Sequence, residues 1–120
     1  MYFGSQDKCF YALDKKNGLM KWKYDTAGII HSSAAIDIFG NVYFGSNDGK
    51  VYSLTPAGLL RWAYSTGNAV QSSPALSTNG YVYVGSDDFT IYALQISNGV
   101  MAWKYKTNGA VRSSVALGKN

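Results

Sequence analysis

Tyr81-Val82-Tyr83-Val84-Gly85-Ser86-Asp87-Asp88-Phe89-Thr90-Ile91-Tyr92-Ala93-Leu94 decides the architecture of this 120-residue chain. Two short runs rich in β-branched and aromatic residues flank a Gly-Ser-Asp-Asp cluster, the pattern of two antiparallel strands joined by a tight turn. Ser72-Ser73-Pro74-Ala75-Leu76 and the turn Ser77-Thr78-Asn79-Gly80 come before this hairpin. A turn ending in Gly99 leads from it to Val100-Met101-Ala102-Trp103-Lys104-Tyr105. The unit therefore reads as four antiparallel strands, A to D.

The unit occurs three times. Tyr2, Tyr43 and Tyr83 are 41 and 40 residues apart, as are Tyr11, Tyr52 and Tyr92. Tyr24, Tyr64 and Tyr105 follow at 40 and 41, and so do Trp22, Trp62 and Trp103. The C–D turn is one residue shorter in the second copy, where a turn absorbs the change. A period in the low forties built on strand-forming residues predicts β-propeller blades, in three repeats of about 1–40, 41–80 and 81–120 within a single segment 1–120. Strand D places Trp and the following Tyr on one face and most of Lys21, Lys23, Arg61, Lys104 and Lys106 on the other. On an outermost strand those cations guard a free edge; a basic binding rim is the competing use.

Composition narrows the class further. Eleven Lys and Arg stand against seven Asp and no Glu, giving +4, too mild an excess over three repeats to point to nucleic acid. Cys9 is the single cysteine and cannot form an internal disulfide. No run of 18 apolar residues and no signal-peptide succession occurs, so no membrane span is expected and the compartment stays open. Periplasm or cell envelope is the expectation if the chain belongs to a longer parent.

The candidate reactive groups read as structural. The Ser32-Ser33, Ser72-Ser73 and Ser113-Ser114 pairs lack a Gly-x-Ser-x-Gly elbow, and their repetition points to hydrogen bonding at the start of strand A. Gly-Ser-x-Asp recurs without a following helix or Lys-Ser/Thr, so it is no phosphate loop, and its Asp is expected to cap the turn. One or two carboxylates per turn are too few for calcium. His31, Gln71 and Arg112 share one variable position before the Ser pairs, at the mouth of a propeller channel, and are the candidate ligand contacts. His31 has no second His, Cys or Glu nearby to make a metal or catalytic pair. No catalytic, cofactor or metal site is expected.

Ala12-Leu13-Asp14-Lys15-Lys16-Asn17-Gly18-Leu19-Met20-Lys21-Trp22 resembles the Ala-x-Asp-x-x-x-Gly-x-x-x-Trp motif of the PQQ-like repeat family, whose blade length is also WD40-like. Gly-Ser-x-Asp and Ser-Ser-Pro-Ala resemble the same family. Copies two and three depart from the motif at Ser53, Thr55 and Gln95. The resemblance implies that Trp22, Trp62 and Trp103 dock blade on blade, with Gly18, Gly58 and Gly99 in the matching turns. It also implies two functions. Quinoprotein dehydrogenases of the family are eight-bladed and hold pyrroloquinoline quinone with calcium, a catalytic Asp and usually adjacent cysteines, none of which this sequence matches. The outer-membrane assembly lipoprotein and some bacterial kinase sensors use the propeller to bind proteins. A non-catalytic scaffold for a protein, peptide or glycan is the expectation, and a piece of a quinoprotein or of a longer PQQ-like protein is the alternative.

Met1 aligns inside strand B and Ser113 to Leu117 aligns with strand A, giving twelve strands as B-C-D, A-B-C-D, A-B-C-D, A. Three blades leave two apolar faces open, so the ring needs completion. A homodimer that exchanges strand A and closes a six-bladed ring is one solution; further blades of a longer propeller are the other. The in-phase ends favour the dimer.

Overall fold

The chain folds into three antiparallel sheets in the computed structural model, which describes residues 1–116. Each four-stranded sheet takes its strand A from the end of the preceding repeat, so the repeats are circularly permuted within the blade. β1 (Tyr2–Gly4), β2 (Cys9–Leu13) and β3 (Met20–Asp25) form the first blade in that order. β4 (Ala35–Ile36), β5 (Val42–Gly45), β6 (Lys50–Leu54) and β7 (Leu60–Ser65) form the second. β8 (Ala75–Leu76), β9 (Tyr81–Gly85), β10 (Thr90–Gln95) and β11 (Met101–Lys106) form the third. All pairs are consecutive hairpins, so each blade is a local meander with strand D outermost. Among the described residues there is no helix, and none long and apolar enough to cross a membrane.

Among the described residues eleven strands form where the sequence predicts twelve. Residues 113–116 carry the strand A pattern yet pair with no described residue, and Leu117 lies outside the described residues. Strand A is only two residues long where it does form, on β5 and β9. It depends on a strand B that follows it, and residues 113–116 have none beside them.

The blades stack through two apolar layers. Phe10 and Ile30 from the first repeat meet Val42, Phe44, Tyr52 and Leu54 of the second. Tyr43, Val51 and Trp62 on the other face of the second blade meet Val82, Val84, Tyr92 and Leu94 of the third. Every residue of β5 is buried because its blade is covered on both sides, whereas β9 alternates and β11 is exposed throughout.

Two tryptophans make matching contacts with the next sheet. A Cβ on Gly58 would stand 2.5 Å from Trp22 Cδ2, and one on Gly99 would stand 2.5 Å from Trp62 Cδ2. Only glycine permits that approach, and its φ of +87° or +73° suits glycine as well. Trp22 Nε1 donates to Pro56 O and Trp62 Nε1 to Ile96 O, both at 2.9 Å. The departures at Thr55 and Gln95 leave this geometry unchanged, since the indole is received by glycine and a main-chain carbonyl. On strand C the indole stands opposite a small residue, Ala12 for Trp22 and Ser53 for Trp62. Trp103 meets no further sheet among the described residues and is 47% exposed. Gly18, at the other end of the arc, has no heavy atom within 4 Å of the place a Cβ would take.

The turn carboxylates stitch neighbours together. Asp48 Oδ1 accepts the Lys50 amide and Asp88 Oδ1 the Thr90 amide, closing their own turns at 2.9 and 3.0 Å. Their Oδ2 atoms reach back one blade, to the amides of Ala27 and Gly67. The Tyr52 and Tyr92 hydroxyls bond the same carboxylates. Burial, and then the hydrogen bond to the carboxylate, push both tyrosines above their ordinary pKa. Asp7 holds the Cys9 amide and the Tyr11 hydroxyl, and this second bond pushes Tyr11 up to about 12. Thr26 and Thr66 add a hydroxyl contact to Ser46 and Ser86 of the next blade at 3.1 and 3.0 Å.

Candidate functional site

The loops that join strand D to the next strand A carry the three candidate contacts, His31, Gln71 and Arg112. Val70 N donates to Ser46 O and Asp87 N to Ala69 O, at 2.9 and 2.8 Å. Each loop is thereby clamped between the B–C turns of two successive blades. The clamp is tight: a Cβ on Gly4, Gly45 or Gly85 would fall within 2.1 to 2.3 Å of Ile30, Val70 or Val111. The buried Ser32 and Ser72 hydroxyls accept the Gly45 and Gly85 amides at 3.1 and 3.2 Å, so the pairs bond strand B where the sequence predicts bonding at the start of strand A. Ser33 N also donates to Ser73 Oγ, linking successive copies at 2.8 Å.

Asp87 brings two of the three candidate contacts together. Gln71 Nε2 donates to its Oδ2 at 2.9 Å, and Arg112 approaches through Nε at 3.1 Å and Nη2 at 3.3 Å. The carboxylate raises the Arg112 pKa above its ordinary value, through the hydrogen bond first and charge second. Arg112 is largely exposed, so the pair orients side chains more than it stabilises the fold. His31 is exposed and joins neither of them. Asn47, the equivalent of Asp87 one blade earlier, has its Oδ1 buried without a hydrogen-bond partner among the described residues.

A second feature lies at the opposite turns, between blades two and three. Ile36, Ile38, Phe39, Arg61, Leu76 and Ile96 line a mostly apolar cleft of about 580 Å³. Ile38 and Phe39, at the tip of the A–B turn, are 93% and 77% exposed. Arg61 does not guard the sheet edge as a strand D cation should. Its Nη1 donates to Tyr43 Oη at 2.9 Å and to Ser53 Oγ at 2.8 Å, and its Nη2 to Ile96 O at 3.3 Å. Asp37 Oδ2 accepts the Tyr43 hydroxyl at 2.7 Å. Burial raises the Asp37 pKa, but hydrogen bonds from Tyr43, Asn41 and Phe39 outweigh it and hold the group below its ordinary value.

The sequence reading passes over this cleft, although a signal for it exists. Ser77-Thr78-Asn79 in the third copy becomes Asp37-Ile38-Phe39 in the second; Ala12 and Ala93 correspond to Ser53, and Lys21 and Ala102 to Arg61. Departures scattered through one repeat meet in space at one place. Among the described residues no three His, Cys, Asp or Glu side chains cluster as metal ligands would. Cys9 is buried and donates to Asp25 Oδ1 at 2.9 Å, a bond that, with burial, raises the thiol pKa.

A family model described as outer membrane protein assembly factor BamB matches residues 1–75. Among solved structures, BamB from Moraxella catarrhalis superposes with a TM-score of 0.76 at 24% identity, over 88% of this chain and 32% of that one. The quinohemoprotein alcohol dehydrogenase ADHIIG from Pseudomonas putida HK5 superposes at 0.77 and 22% identity, over 88% of this chain and 19% of that one. The chain thus spans about a third and a fifth of these two proteins. No curated protein sequence matches it.

Proposed function

The chain belongs to the PQQ-like propeller family represented by the assembly factor BamB, and from that premise we propose that it is a non-catalytic scaffold that binds a protein, peptide or glycan. One observation carries this reading. The groups that could do chemistry are occupied in joining blades: Asp48 and Asp88 by amides and tyrosine hydroxyls, Ser32 and Ser72 by strand B, Thr26 and Thr66 by the next blade. His31, Gln71 and Arg112 supply contacts at the channel mouth, with Asp87 holding the last two. The tryptophan–glycine contacts act as the docking joints of the arc.

The likeness to a quinohemoprotein dehydrogenase is one of fold, at 22% identity. The residues of this chain do not fit a quinone–calcium group, since the turn carboxylates Asp48 and Asp88 are spent on main-chain amides, Asp87 on Gln71 and Arg112, and the one cysteine is buried against Asp25. Titration with pyrroloquinoline quinone and calcium, followed by near-ultraviolet absorbance, should give no saturable change. Stoichiometric uptake accompanied by alcohol oxidation would replace the scaffold with a redox unit.

The open faces match. Tyr83, Ile91, Trp103 and Tyr105 repeat the face that Tyr43, Val51, Trp62 and Tyr64 present, while Met1, Phe3, Tyr11 and Leu13 repeat the face that Val42, Phe44, Tyr52 and Leu54 offer. A second copy would place Trp103 over the vacant Gly18, closing a six-bladed ring as a homodimer.

A further inference from the structure

We propose that the cleft between blades two and three is a docking site for a partner peptide that carries an apolar side chain next to a carboxylate. This rests on the scaffold reading and gives it a place and a ligand chemistry. The wall of the cleft is apolar, with Ile36, Ile38 and Phe39 on one side and Leu76 and Ile96 on the other. At its base Arg61 bonds only uncharged oxygens, and no carboxylate lies within 4 Å of it among the described residues. Asp37 is one hydroxyl away, across Tyr43, and is itself saturated by Tyr43 and Asn41. A half-buried guanidinium fixed by three neutral partners is pre-organised for an anion, and Arg favours a carboxylate in a planar, two-bonded approach.

Two further points separate this cleft from the incidental apolar surface of the arc. Its lining comes only from blades two and three, so blades added at either end leave it uncovered. Its distinctive residues are the ones that break the repeat. Thr78 and Asn79 fill the equivalent turn of blade three with polar groups, where Ile38 and Phe39 stand exposed in blade two. Exposed aromatic and aliphatic residues beside a half-buried Arg form the composition of a binding hot spot. A peptide suits the site better than a hydrocarbon chain because Thr78 and Ser97 along the cleft offer partners for main-chain amides.

The test is selection of a displayed random heptapeptide library on the 120-residue chain, followed by fluorescence anisotropy with the enriched peptides. Enriched sequences should pair an aromatic or large aliphatic residue with Asp, Glu or a free C-terminal carboxylate. Phe39→Ser should weaken them roughly tenfold or more, as loss of an anchor does. Arg61→Gln should weaken them by a similar factor and remove their salt dependence. Phe39 is a turn residue in solvent, so its variant keeps the fold even if Arg61→Gln does not. Leu19→Ser, at an exposed position of blade one, should leave binding unchanged. No enrichment, enriched peptides without the acidic or the apolar element, or indifference to Phe39→Ser would overturn the proposal. Peptides lost on Arg112→Ala instead would move the site to the channel mouth and leave the scaffold reading standing. Capture of phosphatidylglycerol vesicles through Phe39, without peptide binding, would make the partner a lipid surface and also overturn it.

Discussion

The junction between the second and third blades and the outer face of the third blade are written with the same residues and end in opposite states. Trp62 is 7% exposed at the junction, and Trp103 is 47% exposed on the outer face. Gly99 is pressed against Trp62, while Gly18, with nearly the same φ, faces open space. Tyr43 is fully buried and its equivalent Tyr83 is half-buried. The blade motif therefore specifies what a surface can join, and the neighbour supplies the burial. A repeat protein places its stability in the interfaces between copies.

The sharpest way to break the comparison is to remove the two indoles in turn. Trp62→Ala should cost about 3–5 kcal/mol in chemical denaturation, the range for emptying a buried aromatic site. Trp103→Ala should cost under about 1 kcal/mol if the outer face is wet, as for a surface substitution. If a second copy covers that face, Trp103→Ala instead costs several-fold more, and the unfolding midpoint of the unaltered chain rises with protein concentration. Equal costs without concentration dependence would undo the contrast.

Gly99→Ala and Gly18→Ala separate backbone strain from packing, because φ is +73° and +72° at the two sites. The left-handed conformation alone costs a non-glycine residue about 1–2 kcal/mol, which is all that Gly18→Ala should show. Gly99→Ala should add overpacking of about 1–3 kcal/mol against the Trp62 ring. Thermal unfolding of both variants measures the difference.

The smallest effect concerns acid. Asp88 and Asp7 have folded pKa values below the ordinary 3.8, Asp88 because hydrogen bonds from Tyr92, Gly67 and Thr90 outweigh burial, and Asp7 through Tyr11 first. The unfolded chain therefore takes up protons first as pH falls, so the stabilisation is complete above the unfolded value and is lost through the folded one. Tyrosine fluorescence should report unfolding that sets in below about pH 4. Asp88→Asn should lower stability at neutral pH more than Asp7→Asn does, by about 1 kcal/mol, because Asp88 also holds the Gly67 amide of the preceding blade.

Much of the fold was legible because it is periodic. The aromatic register located β1 to β11, and the Gly-Ser-x-Asp turns located the capping carboxylates, since both depend on local chemistry repeated in phase. The last strand A failed because it depends on a partner strand, which a local pattern cannot represent. Of the rim residues, Gln71 and Arg112 do converge, yet the carboxylate that joins them, Asp87, stood unnoticed inside a turn motif. Arg61 was read from the two-residue alternation of its strand. Its long side chain curls back toward Tyr43 and Ser53, a choice set by the hydroxyl at position 53 that the other copies lack. Departures from a repeat carried more information about the candidate site than the repeat itself.

The two turn carboxylates and two threonines that bridge blades reach one blade and no further: Asp48 to Ala27, Asp88 to Gly67, Thr26 to Ser46, Thr66 to Ser86. Such strictly nearest-neighbour wiring makes the forty-odd-residue unit modular in inheritance. Duplicating or deleting one unit in the gene rewrites two seams and leaves the remaining ones with their partners, so blade number can drift between descendants while the joint stays the same. The second copy illustrates the licence this gives, having changed its A–B turn, Ser53 and Arg61 while both of its seams kept the shared geometry.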